Sequence, residues 1–134
     1  TPDDLERVIA LGVKLALSPG ATGELLQAAA QAQIDFIPGA ATPSELMAGM
    51  AHGFEVFKLF PAAVLGGTAM LRALAGPFPA VRFCPTGGLT AANFRDYLAL
   101  PNVICCGGSW MVAGELVDNG RWEQIEALAR GAVT

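Results

Sequence analysis

Five short apolar runs, at residues 13–17, 34–37, 56–60, 81–84 and 103–106, constrain this chain more than any other feature. Each is too short for a helix and rich in Val, Ile, Leu, Phe or Cys, which is the pattern of a strand buried on both faces. A proline or glycine follows each run: Ser18-Pro19-Gly20, Pro38-Gly39, Pro61, Pro85-Thr86-Gly87-Gly88 and Gly107-Gly108-Ser109. Proline lacks the N–H that a central strand needs and glycine weakens a strand interior, so these are expected strand exits. The runs begin at about 13, 34, 55, 81 and 103, roughly 21 to 26 residues apart. That is the length of a βα unit in a parallel sheet, where strands are covered by helices on both faces.

Helical patterns fill the intervals. Thr1-Pro2-Asp3-Asp4 supplies an N-cap, a proline at the first helical position and acids in the first turn. Thr42-Pro43-Ser44-Glu45 repeats the design with Glu45 placed for a capping box, and Leu46, Met47 and Met50 form an apolar stripe. Thr90 opens a segment running to Leu98. Asn119-Gly120 marks a stop before 121–130, where Trp122, Ile125, Leu128 and Ala129 share a face.

The totals exclude several function classes. Charged residues are 15% of the chain against about 25% in an average domain, while hydrophobic residues are 53%. This predicts more than one buried surface: a core and a subunit interface. The net charge is -4 and no Lys/Arg block exists, so no nucleic-acid groove is expected. No apolar run approaches the roughly 20 residues of a membrane span. The opening Thr1-Pro2-Asp3-Asp4 is expected to start a helix and not a secretory leader. Cys84, Cys105 and Cys106 have no paired spacing and His52 is the only histidine, so neither a disulfide framework nor a metal site is expected. Free cysteines fit a reducing, cytoplasmic setting. They are expected to be small core residues, Trp110 and Trp122 packing residues, His52 a helix C-terminal residue and Lys14 a solvated one.

Five βα units admit two architectures: an open doubly wound sheet, or part of a (β/α)8 TIM barrel, which needs about 250 residues when complete. The loops favour the barrel. Its phosphate sites often lie after the last two strands, and the last two exits here are Thr86-Gly87-Gly88 and Gly107-Gly108-Ser109. Glycines let backbone N–H groups approach a phosphate, Thr86 and Ser109 add hydroxyls, and a short helix over 110–116 would present its positive end. The plainer reading of both sequences is tight turns.

Lys58 stands inside the third apolar run, in a chain with only two lysines. Side chains alternate along a strand, so Phe57 and Leu59 take the helix side and Lys58 the barrel interior, near the strand's C-terminal mouth. Partial desolvation there favours a neutral amine, a nucleophile for carbonyls. The alternative is a lysine that reaches solvent or pairs with a carboxylate. Asp35 and Glu55, however, lie at strand starts, the wrong end.

The stretches Phe57-Lys58-Leu59-Phe60-Pro61-Ala62, Val81-Arg82-Phe83-Cys84-Pro85-Thr86-Gly87-Gly88 and Gly107-Gly108-Ser109-Trp110, with Ser18-Pro19-Gly20 and Ile37-Pro38-Gly39, resemble the 2-keto-3-deoxy-6-phosphogluconate (KDPG) and 4-hydroxy-2-oxoglutarate aldolases along the whole chain. The resemblance implies a metal-free class I aldolase on a TIM barrel, a homotrimer of the cytoplasm. It implies cleavage of a phosphorylated 2-keto acid to pyruvate and glyceraldehyde 3-phosphate in the Entner–Doudoroff pathway. By the same resemblance Lys58 is the Schiff-base lysine. Pro19, Phe60 and Thr86 line the substrate pocket, and Gly87, Gly88 and Ser109 hold the phosphate. Ser109 and Cys84-Pro85-Thr86 favour the phosphogluconate over the phosphogalactonate enzyme. The family's glutamate base, and an arginine and a threonine for the pyruvate carboxylate, match positions before Thr1. Residues 1–134 are therefore expected to supply about the last five βα units of one barrel domain. Position 63 is alanine where some members carry an acid. Two alternatives stay open: another phosphate-binding TIM-barrel enzyme, or a phosphate-binding barrel fragment that cannot turn over.

Overall fold

The computed structural model describes residues 1–133. Helix α1 (Pro2–Ala10) opens on a capping box in which the Thr1 hydroxyl accepts from the Asp4 N–H and the Asp4 carboxylate accepts from the Thr1 amine. The chain then alternates strand and helix: β1 (Leu15–Leu17), α2 (Gly23–Gln31), β2 (Asp35–Ile37), β3 (Gly39–Ala40), α3 (Pro43–Ala51), β4 (Val56–Leu59), α4 (Gly67–Ala75), β5 (Arg82–Pro85) and α5 (Phe94–Leu98). A 3-10 turn (Trp110–Val112), α6 (Gly114–Asp118) and α7 (Trp122–Val133) complete it. All strand pairings are parallel.

Two sheets result, β1-β2 and β3-β4-β5, and they meet at a single residue, Pro38. The sequence marks Pro38-Gly39 as an exit, but the strand continues. Its first half pairs with β1, ending where the Ser18 N–H donates to the Ile37 carbonyl; its second half pairs with β4, where the Lys58 N–H donates to the Pro38 carbonyl at 2.9 Å. Proline has no N–H to give β1, so it marks the place where pairing passes from one neighbour to the other. Such a stagger between successive strands is what a closing parallel sheet requires.

The fifth apolar run forms no extended strand. Val103 bridges Phe83 and Gly107 bridges Thr86, both parallel. The offset grows by one residue between the two bridges, so the run carries an extra residue, as in a bulge. This splits the cysteines: Cys84 is buried, Cys106 is half-buried against the helix-side core, and Cys105 is exposed, contrary to a core role for all three.

The main core lies between β4, β5 and their helices, with Phe57, Leu59, Leu71, Val81 and Phe83 at 1% exposure or less. A second cluster joins α1 and α2 through Leu5, Leu25 and Ala29. Two expected apolar faces pack only in part, since Ile125, Leu128 and Ala129 are half-buried. Met47 and Met50 are exposed although Leu46 beside them is buried, and Trp122 is 62% exposed. Trp110 does pack, stacked on Phe94 with ring centroids 5.3 Å apart. His52 takes the C-cap of α3, where its backbone N–H donates to the Gly49 carbonyl and the next N–H, of Gly53, donates to the Met50 carbonyl. Lys14 is exposed. No helix among the described residues is long and apolar enough to cross a membrane.

Candidate active site

Lys58 is the third residue of β4. Phe57 and Leu59 on either side are buried toward the helices, and Lys58 is half-buried on the opposite face. In register it lies between Gly39 of β3 and Cys84 of β5. Its Nζ stands 4.8 Å from the centroid of the Phe60 ring. No ion pair among the described residues involves it. Asp35 begins β2 and Glu55 precedes β4, so both acids sit at the strands' N-terminal ends.

The loops beyond β4 and β5 are joined to each other. The Thr86 N–H donates to the Leu59 carbonyl at 3.0 Å, the Ala62 N–H to the Thr86 carbonyl at 2.8 Å, and the Ala63 N–H to the Gly87 carbonyl at 3.0 Å. The Phe60–Pro61 peptide in this loop is cis. The Thr86 hydroxyl donates to the Cys84 carbonyl at 3.4 Å and lies 3.9 Å from the Cys84 sulfur. Lys58, Phe60, Thr86 and Gly87 therefore gather at one mouth. Pro19 reaches it from the other side: the Ser18 hydroxyl accepts from the Gly39 N–H at 3.3 Å, and the Pro19 carbonyl sits where a side chain on Gly39 would be. The sequence marks Gly39 only as a strand exit and carries no signal for this close approach to the residue beside Lys58.

Gly87 and Gly88 have φ of +96° and +77°, a region that side chains rarely adopt. Added Cβ atoms would press on the Phe60 ring and Pro61 at Gly87, and on the Ala63 methyl at Gly88. The N–H groups of Gly87, Gly88, Gly108 and Ser109 donate to no protein acceptor among the described residues. Gly107 packs on Thr86, which brings the second glycine loop beside the first; Ser109, two residues on, is exposed and its hydroxyl bonds no protein group among the described residues. The expected helix over 110–116 is divided. A three-residue 3-10 turn with Ser109 at its N-cap gives way to extended Ala113 (φ -54°, ψ 138°) before the five-residue α6, so only that short turn begins at Ser109.

The thiols beside this mouth are held protonated. Burial of the sulfur, then its hydrogen bond with Cys84, pushes Cys105 up to about 12, and burial pushes Cys106 up to about 11. The Cys105 residue is exposed overall while its sulfur is crowded, so access and charge state point in opposite directions; a thiol that stays neutral is a poor nucleophile. No group of three or more His, Cys, Asp or Glu among the described residues is arranged to hold a metal.

A family model described as "KDPG and KHG aldolase" matches residues 1–128. The chain belongs to this family. Among similar members are the 2-dehydro-3-deoxy-phosphogluconate aldolase of Dickeya dadantii and the KHG/KDPG aldolase of Escherichia coli, each 52% identical over 132 residues, which is 98% of this chain and 62% of the relative. The KDPG aldolase of Legionella pneumophila, solved with pyruvate captured as a covalent carbinolamine intermediate, superposes with a TM-score of 0.96 at 48% identity. The match covers 98% of this chain and 64% of that one. This KDPG/KHG aldolase-family chain thus spans somewhat under two thirds of its relatives' length.

Proposed function

We propose that residues 1–134 carry the Schiff-base half of a class I aldolase that cleaves KDPG to pyruvate and glyceraldehyde 3-phosphate, as one part of a single (β/α)8 barrel domain to which they contribute about the last five units. The observation that carries the reading is the placement of Lys58: half-buried at the mouth of β4, without a carboxylate partner among the described residues, beside Thr86 and two glycine loops with free N–H groups. The covalent pyruvate held by the Legionella relative supports it.

In this mechanism the neutral Lys58 amine attacks the C2 keto carbon, and loss of water from the carbinolamine leaves an iminium. A base takes the C4 hydroxyl proton, the C3–C4 bond breaks, and its electron pair flows into the iminium to form an enamine. Glyceraldehyde 3-phosphate departs, and protonation at C3 followed by hydrolysis releases pyruvate. Asp35 and Glu55 stand at the far end of the strands, so the base comes from outside these residues. Gly87, Gly88 and Ser109 hold the phosphate through N–H groups and a hydroxyl, and Thr86, Phe60 and Pro19 wall the keto-acid end, an orientation effect. The lysine itself is the covalent catalyst, and the reading uses no metal. A homotrimer and a cytoplasmic location belong to the same reading; three free thiols support the latter.

The test is intact mass after incubation with pyruvate and borohydride. A reduced pyruvate on Lys58 is expected, and none on Lys58→Arg, because guanidinium stays protonated. No adduct on the folded wild-type chain would remove the aldolase reading from these residues. The absence of a base near Lys58 favours a second reading, a fragment that binds phosphate and forms the adduct without turnover; measurable KDPG cleavage by the 134-residue chain alone would exclude it.

A further inference from the structure

Strand alternation puts Lys58 and Phe60 on the same face, but it does not put the ring against the amine. Among the described residues Lys58 Nζ makes no hydrogen bond or ion pair, and the Phe60 ring lies 4.8 Å away to its centroid. The loop after β5 determines where that ring lies. A Cβ on Gly87 would fall 3.2 Å from the ring's Cε2, 3.3 Å from its Cδ2 and 3.2 Å from the Pro61 Cα. The backbone of Gly87 therefore passes along the ring closely enough that even a methyl group there would crowd it. The ladder that fixes this approach is continuous: Thr86 N–H to Leu59 carbonyl, and Ala63 N–H to Gly87 carbonyl.

We propose that Phe60 is a positioning residue for Lys58: its ring, backed by the bare Gly87 backbone, holds the lysine nitrogen at the strand mouth in its cationic forms. An aromatic face attracts a cation placed over it. The chemical consequence rests on the aldolase reading above. There the same nitrogen is neutral in the attacking amine and the carbinolamine and cationic in the iminium. A ring fixed beside it favours the iminium over the carbinolamine, and the iminium is the form that accepts the electron pair of the breaking C–C bond. Phe60 makes no bond and moves no proton; besides walling the keto-acid end, it acts through Lys58.

The chain has only two lysines, so the experiment is simple to read. With lysine labelled by 13C at Cε, two signals appear, and exposed Lys14 is the internal reference. The Lys58 Cε protons are expected to be displaced by the ring current relative to Lys14. That displacement is expected to vanish in Phe60→Leu and survive in Phe60→Tyr, which keeps the ring face. Gly87→Ala, which intrudes on the ring, is expected to change it. Under limiting borohydride the pyruvate adduct is expected to fall roughly two- to five-fold in Phe60→Leu, the range of an exposed cation–π contact, and to recover in Phe60→Tyr. Identical Lys58 signals in wild type and a folded Phe60→Leu would overturn the proposal, as would an unchanged adduct yield where wild type forms one. A displaced Lys58 signal with no adduct in any variant would instead overturn the aldolase reading and support the ring–amine contact alone.

Discussion

At the scale of single residues, Lys58 and its neighbours divide the chemistry clearly. Lys58 faces the mouth beside a thiol, Cys84, and Cys105 and Cys106 are held far above the usual thiol range, chiefly by burial. Most of both thiols is therefore protonated at neutral pH, and they should alkylate slowly. The rate with iodoacetamide is expected to climb with pH toward about 11 without levelling near 9, the ordinary thiol value, and to jump on denaturation. Fast, single-step labelling of the native chain at pH 8 would contradict this. Ser109 carries a different expectation. If its hydroxyl meets the phosphate, Ser109→Val in the turnover-competent assembly should weaken a phosphorylated keto acid roughly 10- to 100-fold, the scale of a hydrogen bond to a charged group. The unphosphorylated 4-hydroxy-2-oxoglutarate should change little. Equal losses in kcat/KM for both would remove Ser109 from phosphate binding. Ala63 also finds a reason: its methyl lies where Gly88 would carry a side chain, so the two small residues allow the loops after β4 and β5 to touch.

Secondary-structure elements explain how the mouth is held. The loop before α3 is tied by Glu45, whose carboxylate accepts from the Ala41 N–H at 2.7 Å and the Thr42 N–H at 2.9 Å. The Ala41 bond is the first cause that holds its carboxyl below the ordinary 4.5. A depressed folded-state value means the contribution is present above about 4.5 and is lost as pH falls through the lower, folded-state value. Thermal melts should therefore show Glu45→Gln below wild type at pH 7 and the gap closing toward pH 3. A gap that is constant with pH would assign the difference to packing. At the start of β3 the decisive residue is Gly39. Adding a Cβ forces apart the backbones of residues 19 and 39, neither of which is a flexible side chain that can yield. Gly39→Ala should cost about 1–3 kcal/mol in urea unfolding, the range for overpacking, or prevent folding. A loss below about 0.5 kcal/mol would show that the loop after β1 is not seated there.

As a whole molecule the chain is an open, staggered parallel array. Leu15, Leu17 and Ile104, near its two ends, are 51%, 43% and 53% exposed, and β1 has an unpaired edge. Exposed apolar edges of this kind invite pairing with another strand. With relatives of which this chain covers 62%, the expected outcome is that the isolated 134-residue chain forms the pyruvate adduct but cleaves KDPG poorly. On the proposed reading, mixing in the part of the Escherichia coli relative that this chain does not cover should give an equimolar complex by light scattering and raise cleavage about 10²- to 10⁴-fold, the scale of general acid–base catalysis. Full cleavage by the chain alone would place the base within residues 1–134. Much of this was legible from the sequence. Alternation along 56–60 determined that Phe57 and Leu59 are buried and Lys58 is not, because period-two geometry is local. The N-cap at Thr1, the capping box at Thr42 and the glycine loops after 85 and 107 were equally local, since each needs only a few consecutive residues. Tertiary structure alone decided the rest. The transfer of pairing at Pro38, the extra residue before Gly107, the exposure of Met47, Met50 and Trp122, and the seating of the Phe60 ring between Gly87 and Lys58 all depend on which segments meet and at what offset. A sequence pattern specifies the face a side chain takes, whereas register and contact are set by neighbours distant in the chain.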